Sequence, residues 1–192
     1  MSIEKEKVAR LTQGAIRYIK RHQKDEGYGI SLFPSWLESG VPAIYNGRLA
    51  WCYGDIGIGK AHEWASEVLV EEALKKDAKE ILLIKSKLRN PDITLVNDAG
   101  YCHGSFGNAH IFYQLWKKYG NTMYQEAADF WLEDGFSRRF DDDKKPYQQW
   151  DSRDRLWHFD LNLLEGISGI GLTIIDFLSE KENTWDECLM LR

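Results

Sequence analysis

Tyr101-Cys102-His103-Gly104-Ser105-Phe106-Gly107 decides the reading of the chain, because its frame occurs three times. Trp51-Cys52-Tyr53-Gly54-Asp55-Ile56-Gly57 precedes it, and Leu163-Leu164-Glu165-Gly166-Ile167-Ser168-Gly169 follows it. Each copy sets two glycines three positions apart, adds a small residue two further on (Gly59, Ala109, Gly171), and runs into an amphipathic stretch at 62–70, 110–119 or 172–179. The six-residue register shared by the three copies starts at Cys52, Cys102 and Leu164, an uneven period near the size of a helical hairpin repeat. Glycines at these points permit close backbone approach at a shared axis.

The rest of the chain fits repeated hairpins. Residues 1–23 read as one amphipathic helix, with Val8, Leu11, Ala15, Ile16 and Ile19 at helical spacing. A glycine- and proline-broken loop spans 27–34, and Gly40, Pro42 and Gly47 keep 35–47 irregular. The segments 71–88 and 122–133 are helix-like, with polar connections at 89–92 and 141–146. Strand-like alternation is scarce. The expected fold is all-α, a single domain over 1–192.

The repeat gives a geometric reason for distant thiols to meet, since Cys52 and Cys102 hold its first position and His103 adjoins the second. Two thiolates and an imidazole suit zinc, and three protein ligands leave a fourth position for water or substrate, as in catalytic sites. The bland alternative is two buried structural cysteines beside an incidental histidine.

Charge and composition remove other classes. The net charge of −5 leaves no basic footprint for nucleic acid. Three widely spaced cysteines make no disulfide framework, the charged N-terminus has no signal-peptide core, and no apolar run reaches the roughly 20 residues that span a bilayer. A soluble, cytoplasmic protein is the expectation.

The motifs carry a resemblance. Arg48-Leu49-Ala50-Trp51-Cys52-Tyr53-Gly54, Cys102-His103-Gly104 with Gly107, Leu163 through Gly171, and the closing Trp185-Asp186-Glu187-Cys188-Leu189 are similar to the C-terminal part of a lanthionine synthetase C-like (LanC-like) cyclase. That resemblance implies an α/α toroid of helical hairpins, present here in part, with zinc held by Cys52, Cys102 and His103. It implies addition of a peptide cysteine thiol to dehydroalanine or dehydrobutyrine, closing a thioether ring. The partners it implies are a precursor peptide with dehydrated Ser/Thr and Cys, or glutathione, together with a dehydratase. Arg48 matches an arginine kept in the family's active site, and it suits an enolate-stabilising or orienting role. The family's further histidine and aspartate belong to earlier repeats that this chain lacks, so the isolated chain is expected to bind zinc with little turnover and to self-associate through uncovered helix faces.

Other residues have competing readings. His62 and His110 are candidate acids, read first as polar helix-face residues. Asp55 is a helix N-cap or an acceptor behind a ligand. Cys188 is read as packing, and Trp36, Trp51, Trp150 and Trp157 as aromatic core or peptide cleft. A glycan-active toroid would need paired carboxylates, and Asp151, Asp154, Asp160 and Glu165 form no telling pair. A zinc-bearing binding protein, holding glutathione or a protein partner without chemistry, remains the alternative.

Overall fold

In a computed structural model, residues 4–24, 31–179, 181, 183–189 and 191 are described. The first three residues of the expected N-terminal helix and residues 27–30 of the expected loop lie outside them. The chain is mostly helical, as expected for an all-α fold. Helix α1 spans Lys5–Lys20, α2 Asp55–Leu69, α3 Glu72–Ser86, the short α4 Pro91–Thr94, α5 Ser105–Tyr119, α6 Thr122–Ser137 and α7 Ile167–Leu178. A 3₁₀ turn covers Glu187–Leu189.

Two hairpins form the body. Helix α2 packs on α3 and α5 on α6, while α3 meets α6 and α5 meets α7. Chain punctuation explains the tight returns. Gly120 ends α5 at φ +67, the left-handed cap that glycine adopts without a Cβ clash. Asn121 then starts α6, accepting the Met123 N–H on its side chain at 2.9 Å. The polar connection at 89–92 is itself a cap: Asn90 accepts from Asp92 N and Ile93 N, and Pro91 opens α4 at a position that needs no donor.

The core lies between the hairpins. Trp131, Phe112, Leu115, Leu82 and Ile56 are all fully buried there, each contributing roughly 1.5–3 kcal/mol by burial if otherwise exposed. Helices α2, α5 and α7 start at the glycine frame, several residues ahead of the amphipathic stretches that signal them in sequence. One feature is additional: strands β1 (Gln149–Asp151) and β2 (Leu156–His158) pair antiparallel, with Trp150 opposite Trp157.

Candidate metal centre

The glycine frame builds the corner that carries each ligand. Before α5 the chain folds back, so that Ser105 N donates to Asp98 O at 3.0 Å, Phe106 N to Ala99 O at 3.3 Å and Gly107 N to Gly100 O at 3.4 Å. Three of the helix's orphan N–H groups are thereby satisfied by the incoming loop. A Cβ on Gly107 would overlap the carbonyl oxygen of Tyr101, and the same holds for Gly57 against Trp51 and Gly169 against Leu163. This close approach, made three times, is the physical content of the repeated glycine. It places Cys52 and Cys102 at equivalent corners, with His103 next to the second. The third corner contributes backbone: Cys102 N donates to Leu164 O at 2.6 Å.

One ligand atom each from Cys52, Cys102 and His103 lies within 4.8 Å of the others, and Cys52 Sγ stands 3.9 Å from His103 Nδ1. Tetrahedral zinc with Zn–S of about 2.3 Å and Zn–N of about 2.0 Å separates its donors by roughly 3.5–3.8 Å. The three groups therefore fit an ion with small side-chain adjustments, and the set can hold a metal ion.

The sulfurs are electrostatically unlike. The Cys52 thiol is pulled down to about 5, first by a hydrogen bond from Cys102; burial opposes this, and His103 and Arg48 add to it. Cys102, as the donor to Cys52, is pushed up by that bond, by burial and by the negative charge of Cys52. Burial lowers His103, but its contact with Cys52 and the charge of Asp98 outweigh burial and raise it. A thiolate is thus held at neutral pH by the chain's own groups, which prepares the set for a cation.

Arg48 sits half-buried in the loop before α2, close enough for its charge to act on Cys52, Cys102 and His103. Its guanidinium makes no hydrogen bond or ion pair among the described residues, so its donors are available to a bound molecule.

Asp98 is the residue that sequence reasoning missed. Its carboxylate is 2% exposed, and Oδ2 lies 3.7 Å from His103 Nε2. The same carboxylate accepts from Gly100 N at 2.9 Å and from Trp150 N at 3.2 Å. His103 therefore turns Nδ1 toward the sulfurs and Nε2 toward a carboxylate, the arrangement that fixes a ligating histidine's tautomer. The available signal was Asp98-Ala99-Gly100, an aspartate two residues before a glycine in a turn.

Several expectations are corrected. Asp55 neither caps α2, which Gly54 does, nor touches a ligand. Its buried carboxylate accepts from Leu32 N at 2.6 Å and Phe33 N at 3.2 Å and pairs with Lys85 Nζ at 2.7 Å, pinning the 31–33 segment to α2 and α3. His62 and His110 are not polar-face residues, being 1% and 0% exposed. His110 is held between Asp186 (Nε2 to Oδ2, 2.9 Å) and Asp176 (Nδ1 to Oδ2, 3.3 Å). Cys188 is exposed rather than packed, its thiol donating to Trp185 O at 3.3 Å.

Of the tryptophans, Trp51 lines a cleft beside Cys52, whereas Trp36 is exposed and Trp150 and Trp157 contact each other across the β-hairpin. Asp151, Asp154 and His158 also cluster, on the hairpin surface, where Asp151 is occupied by Arg153 and backbone N–H groups.

Helical hairpins that bring two cysteines and a histidine together, with a carboxylate behind the histidine, define a helical-repeat protein with a Cys₂His set that could hold a metal ion. The sequence model described as Lanthionine synthetase C-like protein matches residues 1–190, and the chain belongs to that family. No curated protein matches the chain. Among the described residues no helix is long and apolar enough to cross a membrane.

Proposed function

We propose that the chain forms the zinc-bearing part of a cytoplasmic peptide thioether cyclase, in which its hairpins continue an α/α toroid. Cys52, Cys102 and His103 would hold the zinc ion, whose positive charge would keep an incoming cysteine thiol deprotonated and nucleophilic. The peptide sulfur bonds to the β-carbon of dehydroalanine or dehydrobutyrine, the double-bond pair moves toward the carbonyl, and the α-carbon takes up a proton. The thiol releases one proton and the carbon gains one, so the addition is redox-neutral and needs no co-reactant.

Arg48 is the residue assigned to the negative charge that develops on the carbonyl oxygen, because its donors have no partner among the described residues and its charge acts on both sulfurs. Asp98 holds His103 in place. The observation that carries this reading is the convergence of three ligand atoms within 4.8 Å from corners 50 residues apart.

The test is thioether formation by the chain within its complete toroid, on a dehydrated, cysteine-containing peptide, followed by mass spectrometry with alkylation of residual thiol. Loss of alkylatable thiol at unchanged peptide mass supports the reading when Arg48→Ala abolishes it. Stoichiometric metal and tight glutathione binding with no thioether would instead favour the binding-protein alternative.

A further inference from the structure

A cleft of about 550 Å³ opens beside the metal centre, with Cys52 and Trp51 in one wall and Ile19, Phe33, Pro34 and Ile58 around it. His62 also lines it, 1% exposed, and among the described residues neither of its ring nitrogens is hydrogen-bonded. Burial holds this imidazole well below its ordinary pKa, at about 4, so near neutral pH it offers one N–H donor and one bare acceptor. Two unsatisfied buried polar atoms on one side chain are costly and call for a partner. The Phe33 ring, edge-on at 6.3 Å between centroids, provides none.

We infer that this cleft is a specificity pocket, which receives the apolar side chain of the substrate residue adjacent to the reacting cysteine while His62 hydrogen-bonds that residue's main-chain amide. The inference rests on the thiol–metal reading above and adds to it what the peptide must carry. Continuity with the centre supports the occupant. Cys52 is both a ligand and part of the cleft wall, and consecutive Cα atoms are about 3.8 Å apart, so a peptide sulfur at the metal places its neighbour's side chain at the cleft mouth. The walls are mostly hydrocarbon, which selects an aliphatic or aromatic side chain, and the buried imidazole is matched by an amide rather than by a charge.

The test uses the full chain loaded with cobalt(II) and two capped dipeptides, acetyl-Leu-Cys-amide and acetyl-Gly-Cys-amide. The cobalt–thiolate absorption reports thiol ligation, and its titration gives each affinity. Both dipeptides are expected to perturb the band, with the leucine peptide binding about tenfold tighter or more. Ala61→Phe, at an exposed position on the cleft wall, is expected to erase the leucine preference and leave acetyl-Gly-Cys-amide binding unchanged. His62→Leu is expected to weaken both peptides several-fold and to keep their ratio. Equal affinities in the unaltered chain, or a preference that survives Ala61→Phe, would overturn the pocket while the cobalt response upholds thiol ligation. A cobalt band that neither peptide moves would remove the thiol–metal reading, and the inference with it.

Discussion

His103 Nε2 faces the buried Asp98 carboxylate at 3.7 Å while His103 Nδ1 faces Cys52 Sγ at 3.9 Å, so one imidazole is clamped between a carboxylate and the thiol pair. Asp98→Asn removes the charge behind the ring and retains a carbonyl oxygen for the turn. Zinc affinity in competition with a chromophoric chelator is expected to fall about 10- to 100-fold. Unchanged affinity, with circular dichroism also unchanged, would show that Asp98 serves the loop alone.

The glycine frame makes a sharper stability prediction. Gly107→Ala would drive a Cβ into the Tyr101 carbonyl, and relief requires the loop to lift off the first turn of α5. A loss of about 2–4 kcal/mol in urea unfolding is expected, at the upper end of overpacking costs because the obstacle is backbone. Gly171→Ala, in the interior of α7 with nothing within 4 Å of the new methyl, should instead be neutral or stabilise by up to about 1 kcal/mol. Equal effects at the two sites would refute the steric account of the repeat.

His62 gives stability a pH dependence. Burial first, and then the charge of Lys20, lower its folded-state pKa from 6.5 to about 4. Between these values the unfolded chain takes up a proton that the folded imidazole refuses. The stabilisation is therefore complete above pH 6.5 and is lost as pH falls toward 4. The contribution is on the order of 3 kcal/mol. Unfolding free energies measured across this window should rise more gently with pH in His62→Leu than in the unaltered chain; parallel curves would show that His62 does not titrate as described.

Some of this was legible in sequence because its cause is local. A glycine that must pass within contact of a carbonyl six residues earlier leaves the same mark in all three copies, and the two cysteines inherit equivalent corners from it. Residues whose role is set by distant partners left no such mark. The burial of His110 depends on Asp176 and Asp186, 66 and 76 positions away in sequence, so its place in a helical pattern looked like an ordinary polar face. Asp98 reaches His103 only because the loop doubles back on α5. Strands of three residues, as in the Trp150–Trp157 hairpin, are too short for alternation to register.

Metal stoichiometry of the purified chain is the most direct measurement of the central claim. Elemental analysis should find about one zinc per chain, lost in Cys52→Ala and in Cys102→Ala but retained in Cys188→Ala, whose thiol is exposed on the 3₁₀ turn. Stoichiometric zinc persisting in folded Cys52→Ala and Cys102→Ala chains would place the ion elsewhere and contradict the account.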